Sequence, residues 1–359
     1  MKVAVYAICK NEEKFVDRWV ASMAESDAIY VADTGSTDAT VERLRSLGVI
    51  VHTISLSEWR FDVARNISLS YVPSDVDVCV CTDLDEVLDP GWRAKVEVAF
   101  KDPEVTRLKY WYTWNFLPDG TPGTQFWYDK IHRRHGYRWV HPVHEVLKLY
   151  GQDEKFTFDG SIHLKHHPDQ TKSRGSYLPL LELSVVEDPN DDRNMHYLGR
   201  EYTFYGEWKK AIETLQRHLA LPTARWNTER ASSMRLLGKS YTAIGNIPEA
   251  HKWYRRATLE DPNCREAWYD LALAMQRASM HLDAYYAAKK GLEITEMSGS
   301  YIHDPDAWNG TLEDLCSTSA WYIGLKDESI KYVMIAAARL PDNARIQQNL
   351  AFITGAAVS

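Results

Sequence analysis

Apolar residues in residues 1–150 follow two alternating patterns. Short runs rich in Val, Ile and Ala are typical of buried strands, and the stretches between them repeat apolar residues at helical spacing. In EEKFVDRWVASMAE, for example, the helical spacing joins Phe15, Trp19 and Met23. This alternation predicts an α/β sheet, mostly parallel and covered by helices on both faces. The predicted strands are KVAVYAIC, DAIYVAD, VIVHTISL and DVDVCVCTDLD, and the further predicted helices are STDATVERLRSLG and FDVARNISLSYV.

The pattern changes after residue 100. VTRLKYWYTWNF and QFWYDKIHRR are longer, aromatic segments with strand character, and the turn-rich LPDGTPG joins them. Two such segments with a short connection are typical of antiparallel neighbours. We therefore expect an antiparallel extension of the sheet.

Helical spacing replaces the strand signals from about residue 175, and it comes as a repeat. YLGREYTFYGEWKKAIETLQRHLALP is similar to LLGKSYTAIGNIPEAHKWYRRATLEDP, so that Gly199 matches Gly238 and Gly206 matches Gly245, each 39 residues apart. Two further copies with more drift follow, and ARIQQNLAFITG is the expected capping helix. The repeat resembles the tetratricopeptide repeat, in which two helices pack around a small-residue turn. We predict an α/β domain over residues 1–174 and an all-α repeat domain over residues 175–359.

Composition fits a globular protein of two domains, because the chain has 359 residues and is 45% hydrophobic. The absence of an apolar run of about 20 residues predicts no membrane span. The five cysteines are scattered, without a CxxC pair, which favours a reducing, cytoplasmic compartment. The net charge of −8 argues against a large nucleic-acid footprint, which needs a basic face.

Acidic residues occur where the predicted strands end. In VADTGSTDAT, Asp33 ends a strand, and the small residues after it are either an ordinary helix-capping cluster or part of a ligand site. At the carboxyl end of a parallel strand, Asp33 is a good acceptor for a nucleobase N–H or ribose hydroxyls. Glu12 in CKNEE is either part of an acidic first helical turn or a neighbour of Asp33. Arg65, within an amphipathic helix, is either solvent-exposed or a buried cation that faces acids or a phosphate.

TDLDE is the most informative acidic stretch. On an extended strand, Asp83 and Asp85 point the same way, and their repulsion requires a counter-charge. A divalent cation with hard oxygen ligands, Mg²⁺ or Mn²⁺, supplies it. We expect Glu86 and Asp89 to serve the following turn and helix start. The later run GSIHLKHHPDQTKSR provides histidines that can complete a metal shell.

These motifs in this order resemble glycosyltransferase family 2, with its Rossmann-like GT-A fold. They are CKNEE, VADTGSTDAT, ARN and DLD, and HPVHEVL and HHPDQTKSR follow them. More narrowly, the chain resembles bacterial and phage members that carry C-terminal tetratricopeptide repeats. The resemblance implies a metal-dependent, inverting hexosyltransferase that uses Mn²⁺ or Mg²⁺ and a nucleotide-sugar, most often a UDP-sugar.

The resemblance also implies residue roles. In the donor site, Asp33 contacts uracil or ribose with Glu12 close by, Asp83 contacts ribose, and Arg65 lies near the donor pocket. Lys172 and Arg174 either neutralise the diphosphate or belong to a solvated loop. The metal ligands are Asp85 and His166, with His163 as the second choice for the histidine. The catalytic base is Glu145 or, alternatively, Asp129, because the family's Glu-Asp motif is missing. Trp127, Tyr137 and Trp139 are either sugar-stacking or core residues.

The acceptor is open from sequence alone. We expect a protein or saccharide first and a modified nucleic-acid base second, since DKIHRRHGYRWVH is a local basic and aromatic patch. The repeats indicate a protein partner or a dimer contact. Two alternatives compete with the transferase: a non-catalytic repeat scaffold, and a nucleotidyltransferase, for which a glycine-rich phosphate loop is missing.

Overall fold

The computed structural model describes residues 1–117, 120–169 and 175–355. The chain divides into two compact units, Met1–Ser184 with Gly299–Tyr301 and Val185–Ser298 with Ile302–Ser359. The domain boundary after residue 174 stays a prediction, because residues 170–174 lie outside the described part of the chain.

Strands and helices alternate in the first unit, as the apolar pattern predicts. The strands are β1 (Val3–Cys9), β2 (Ala28–Asp33), β3 (Ile50–Thr53), β4 (Val78–Cys81), β5 (Glu86–Leu88), β6 (Arg107–Thr113), β7 (Gln125–Arg133), β8 (Tyr137–Val140), β9 (Val146–Leu149) and β10 (Phe156–His166). The helices are α1 (Val16–Met23), α2 (Thr40–Ser46), α3 (Phe61–Tyr71), α4 (Trp92–Ala99) and α5 (Tyr177–Glu187), which contains the division between the units.

Within the described residues, one sheet runs in the order β3-β2-β1-β4-β7-β6-β10-β5, and β8 pairs separately with β9. The first four strands are parallel neighbours. β7 is antiparallel to both β4 and β6, and β6 is parallel to β10. The predicted α/β fold class and the antiparallel extension are therefore confirmed.

Apolar side chains fill both faces of this sheet. Trp19 of α1 and Trp92 of α4 are buried in the larger cluster on one face. Cys79 and Cys81 lie in a second cluster with Tyr6. The remaining cysteines, which are Cys9, Cys264 and Cys316, are also buried free thiols.

β4 is shorter than predicted and ends at Cys81. The expectation of an extended strand through Asp85 is wrong, because a turn follows Thr82. The backbone N–H of Glu86 donates to the carbonyl of Asp83, and the N–H of Asp83 donates to the Glu86 carboxylate. These two reciprocal hydrogen bonds close the turn and start β5.

The second unit is helical. Its helices are α6 (Asp192–Phe204), α7 (Trp208–Ala220), α8 (Asn227–Ala243), α9 (Ile247–Glu260), α10 (Arg265–Arg277), α11 (His281–Leu292), α12 (Thr311–Tyr322), α13 (Lys326–Arg339) and α14 (Ala344–Thr354). The matched glycines explain the repeat: a Cβ at Gly199 would lie 2.5 Å from Leu215, and one at Gly238 would lie 2.5 Å from Tyr254. Glycine therefore permits the close helix approach of each pair, and the predicted tetratricopeptide-like architecture with its capping helix α14 is confirmed.

Among the helices of the described residues, none has the length and apolar character that a bilayer crossing requires.

Candidate functional site

Three parallel strands end at one edge of the sheet. β1 lies between β2 and β4, with Cys9 paired to Asp33 and Tyr6 paired to Cys81. Because the strands run in the same direction, Asp33 and the turn that carries Asp83 reach the same edge. Ligands of open α/β sheets bind at this edge.

Asp33 is buried, with 2% of its surface exposed. Its carboxylate accepts hydrogen bonds from the N–H groups of Gly35 and Ser36 at 3.1–3.2 Å. Asp33 thus stabilises the turn after β2, as the interpretation of this stretch as an ordinary capping cluster requires. Cys9 Sγ–H also donates to Oδ1 at 3.5 Å, so these contacts together fix the direction of the Asp33 carboxylate at the end of β2.

Glu12 lies in the loop after β1, beside the loop after β2. Its backbone N–H donates to Thr40 Oγ1 at 2.8 Å. The preceding Asn11 accepts from the Thr37 N–H at 2.7 Å through Oδ1 and has a positive φ of 55°. These contacts join the two loops and bring Glu12 to the same edge as Asp33.

Arg65 connects two acids at this edge. Its side chain is 4% exposed, and its Nη2 donates to Asp83 Oδ1 at 2.8 Å. Its Nε donates to Glu145, and its guanidinium lies over the Trp139 ring at 5.2 Å. The structure therefore favours the buried cation over the solvent-exposed arginine, the other interpretation that the sequence allowed.

A second cation, Lys130 of β7, reaches the same acid. Its Nζ lies 3.5 Å from Asp83 Oδ2, and the residue is 6% exposed. Burial would raise the pKa of Asp83, but Arg65 and Lys130 hold this pKa well below its ordinary value. About a third of the Asp83 side chain (34%) is exposed, so the carboxylate remains accessible to a ligand.

Glu86 is the most buried acid of the stretch, at 1% exposure. It accepts from the Asp83 N–H at 2.8 Å and from the Tyr112 hydroxyl at 2.9 Å. Burial raises the pKa of its carboxyl to about 7. The expectation that Glu86 serves the following turn is wrong, since it supports the preceding one. Asp89 instead pairs with Lys165 at 2.6 Å, where both side chains are about one-third exposed.

Asp85 lies beside His166, the last residue of β10. The His166 Nε2 and Asp85 Oδ2 atoms are 3.3 Å apart. Nδ1 lies 2.9 Å from the Trp114 carbonyl, so the network assigns the Nδ1 proton to that bond and directs Nε2 at Asp85. Although burial lowers the pKa of His166, the hydrogen bond to Asp85 raises it overall.

His163 lies on the other face of β10. It follows a register shift between Asp159 and His163, and its Nε2 lies 2.6 Å from Thr113 Oγ1. Side chains alternate between faces along a strand, so residues three apart point in opposite directions. The structure therefore brings His166, and not His163, to Asp85.

The two candidate bases are separated as well. Glu145 lies at the site, in contact with Arg65, and its side chain is 9% exposed. Asp129 precedes Lys130 on β7 and pairs with Arg107 at 3.0 Å. Because Lys130 points to the site, the alternation along β7 directs Asp129 to the opposite face.

The candidate stacking residues differ in exposure. Trp139 and Tyr137 belong to a buried cluster, at 3% and 5% exposure, so the core interpretation applies to them. Trp127 is 38% exposed and stacks on Trp111 at 4.7 Å. The predicted Lys172 and Arg174 lie outside the described residues.

The basic patch DKIHRRHGYRWVH is largely structural. Arg133 donates to the carbonyls of Val105, Phe100 and Asp102, and Arg134 donates twice to the carbonyl of Val72. These guanidinium groups hold loops together. Because their donors are engaged with backbone carbonyls, the patch gives little support for a phosphate-binding face.

Sequence reasoning missed Lys130 and the true role of Glu86. Lys130 had a detectable signal: alternation along the predicted strand puts it on the same face as Phe126 and Tyr128. The role of Glu86 had no such signal in the sequence. It depends on the turn after Thr82, and the sequence pattern predicts a strand there.

Asp85 and His166 together fit a divalent cation. A carboxylate oxygen and an imidazole nitrogen suit Mn²⁺ and Mg²⁺, and a hydrogen bond from the second ring nitrogen to a carbonyl is typical of ligating histidines. A cation held by these two side chains would have further coordination positions for oxygens of a ligand. A metal ion bound by this pair would take the place of the hydrogen bond between the two side chains.

Solved structures of repeat proteins are similar to about half of the chain. A structure titled MamA protein is 22% identical, with 48% of this chain and 87% of that chain covered, at a TM-score of 0.37. PilF of Pseudomonas aeruginosa is 13% identical, with 48% and 72% covered, at a TM-score of 0.40. YrrB, titled a TPR protein with an unusual peptide-binding site, is 13% identical, with 48% and 81% covered, at a TM-score of 0.37.

A sequence model of the family described as Glycosyl transferase family 2 matches residues 4–143. The match begins in β1 and ends just before His144, so it includes the turn of Asp83 and Asp85 and all of α3. Residues 4–143 therefore match glycosyl transferase family 2, and a run of helical repeats follows them.

Proposed function

We propose that this protein is a metal-dependent, inverting glycosyltransferase that moves a hexose from a nucleotide-sugar, a UDP-sugar, to a hydroxyl of a protein or saccharide. The observation that carries the proposal is the Asp85–His166 pair, 3.3 Å apart, next to the Arg65–Asp83 ion pair. Both pairs adjoin the strand edge where α/β sheets bind nucleotides.

The donor nucleotide would bind along the ends of β2, β1 and β4. Asp33 offers a carboxylate to uracil N–H or ribose hydroxyls, with Glu12 next to it. Both Asp83 oxygens contact Arg65, and the lone pairs that remain on them suit ribose hydroxyls. Arg65 fixes the direction of the Asp83 carboxylate and cannot lose its charge, so the site keeps its geometry before the donor arrives.

Asp85 and His166 would hold the cation. A bound Mn²⁺ or Mg²⁺ supplies positive charge to the diphosphate leaving group, whose negative charge grows as the sugar departs. Asp85 would hold it through a carboxylate oxygen and His166 through Nε2, because Nδ1 is engaged with the Trp114 carbonyl.

Glu145 is the proposed base. Inversion takes a single displacement: the acceptor oxygen forms a bond to the anomeric carbon, the bond to the diphosphate oxygen breaks, and Glu145 takes the hydroxyl proton. The ion pair with Arg65 orients the Glu145 carboxylate. Among the two candidates, Glu145 shares a partner with Asp83, whereas Asp129 faces away.

The acceptor is proposed to be a protein or saccharide. Tetratricopeptide-like repeats usually bind peptides or proteins, or bring two copies of a chain together. The free thiols of all five cysteines agree with a reducing, cytoplasmic location for this reaction.

Measuring UDP release from UDP-hexoses with and without Mn²⁺ tests the proposal. We expect Asp85→Ala to lower the Mn²⁺-dependent rate by at least about 100-fold, as loss of a charge-stabilising group does. Asp89→Ala is the matched control: it removes a nearby carboxylate that pairs with the partly exposed Lys165, and the rate should stay within about twofold of wild type.

Two results would contradict parts of the proposal. Equal rates in Asp85→Ala and wild type would exclude the metal role of this residue. Thermal stabilisation by other nucleotide-sugars, but not by UDP-sugars, would exclude the donor assignment and leave the transferase chemistry standing.

A further inference from the structure

A group of potential metal ligands lies in the second unit, outside the site described above. Asp192 begins α6, His218 is near the end of α7, and Glu229 is in the first turn of α8. One ligand atom from each residue lies within 4.8 Å of the other two. Three consecutive helices of the repeat thus bring one imidazole and two carboxylates together.

His218 has a buried nitrogen directed into this group. The residue is fully buried, and in the described part of the chain its Nε2 has no hydrogen-bond partner of acceptable geometry. Leaving a buried polar atom without a partner is costly, so it points to a missing ligand. The nearest opposite charge is Glu229 Oε1, at 3.4 Å from Nε2.

The separation of 3.4 Å between these two atoms has a simple geometric meaning. Zinc binds imidazole nitrogen and carboxylate oxygen at about 2.1 Å, and two such ligands at a tetrahedral angle are about 3.4 Å apart. The nitrogen and oxygen are thus spaced for an ion between them, and Asp192 is close enough to be the third ligand.

Ser233 orients the imidazole from the other side. Its Oγ lies 2.9 Å from His218 Nδ1 and 2.8 Å from His196 Nδ1. A hydroxyl donates one proton, so one imidazole donates to Ser233 and the other accepts from it. When His218 Nδ1–H donates, Nε2 carries the lone pair that a metal needs, which is the usual outer support of a ligating histidine.

The repeat itself does not require these polar groups. The 39-residue spacing of the matched glycines relates Asp192 to Ala231 and His218 to Ala257. Both alanines are fully buried in the next helix pair. An apolar methyl group therefore fills each equivalent position in the next helix pair. Packing of the repeat does not explain why the first helix pair has Asp192 and His218 at these positions.

We propose that Asp192, His218 and Glu229 bind one Zn²⁺ ion that clamps α6, α7 and α8 together, with water as the fourth ligand. The site is distinct from the Asp85–His166 pair, because it lies wholly within the second unit. An imidazole nitrogen with two carboxylates suits Zn²⁺ better than Mg²⁺, which prefers six oxygens.

Zinc titration of the full-length chain tests this site, with Asp85→Ala as the background that removes the donor-site metal. Calorimetry should show one Zn²⁺ per chain in this background. At 100-fold excess over Kd, Zn²⁺ should raise Tm by roughly 5 °C. Adding His218→Ala, which copies the residue of the next repeat, should abolish both effects.

A second variant protects the test against misfolding. Glu229→Gln keeps the size of the side chain and removes the ligand charge, and circular dichroism reports whether the helices remain. Loss of the Zn²⁺ equivalent in a helical Glu229→Gln chain would support the site. No Zn²⁺ binding in the Asp85→Ala background, or one full equivalent in both added variants, would overturn it.

Discussion

Arg65 is the residue on which the electrostatics of the candidate site depends. It is buried and joins Asp83 to Glu145, two acids 62 positions apart in sequence. Two carboxylates held so close would repel each other without a cation. The sequence identified the residue but left its environment open, because helical spacing places Arg65 at the border of the apolar face.

Arg65→Met should therefore destabilise the first unit by about 3–5 kcal/mol, the usual cost of removing one partner from a buried ion pair. Urea unfolding followed by tryptophan fluorescence measures this. The control is Arg43→Met, whose partner Asp17 is 65% exposed, and it should cost at most about 1 kcal/mol. Similar losses in the two variants would show that Arg65 is not held as a buried ion pair.

Strand β7 is the element that links the site to the core. On the inward face it carries Lys130, which reaches Asp83, and His132, which is fully buried.

His132 belongs to a chain of hydrogen bonds. Trp139 Nε1–H donates to the Tyr6 oxygen at 2.8 Å, and the Tyr6 hydroxyl lies 2.9 Å from His132 Nε2. His132 Nδ1 lies 2.7 Å from the carbonyl of Arg133, so the network assigns its proton there. When His132 is neutral, every donor and acceptor in this chain of hydrogen bonds therefore has a partner.

This chain predicts how stability depends on pH. Burial, aided by Arg107 and Arg134, lowers the pKa of His132 to about 3 from 6.5. Below pH 6.5 the unfolded chain binds a proton that the folded chain does not, so stability is complete above pH 6.5 and falls as the pH approaches 3. The slope from this group is roughly 1.4 kcal/mol per pH unit.

Urea unfolding between pH 7 and pH 4 measures that slope. His132→Gln should be less stable at pH 7 but should show a weaker fall towards pH 4. His135→Gln, which removes an exposed histidine, should keep the wild-type slope. A slope unchanged by His132→Gln would mean that the proton binds elsewhere.

The elements were largely predictable from sequence, and the directions of single side chains were not. The apolar pattern predicted β1 to β4, the aromatic strands β6 and β7, and the helical repeats, since burial of apolar surface determines these. It failed at the turn after Cys81, where the Glu86 carboxylate closes a loop through hydrogen bonds. It also left His163 and His166 open, because the register shift near His163 is set by pairing with β6.

All five cysteine thiols of the molecule are buried. Cys9, Cys79 and Cys81 lie in the first unit and Cys264 and Cys316 in the second, and each is at most 4% exposed. Burial raises the pKa of every one of them, to about 12 for Cys79, Cys264 and Cys316. Because the thiolate is the reactive form, these thiols should be inert in the folded chain.

Ellman's reagent tests this expectation. The native chain should release less than one equivalent of the coloured thiolate within minutes, and the chain in guanidinium chloride should release five. At intermediate denaturant, three equivalents would mark opening of the first unit and two would mark opening of the second. Rapid reaction of any thiol under native conditions would contradict the burial described here.

The buried thiols also make the chain suitable for site-specific labelling with its natural cysteines in place. A cysteine introduced at Leu259, which is 78% exposed, would be the fast-reacting thiol of the folded protein. A maleimide dye would then attach to one chosen position of the second unit, and a dye at exposed Val98 would do the same for the first. Fluorescence from each dye would follow donor, acceptor or zinc binding in one unit at a time.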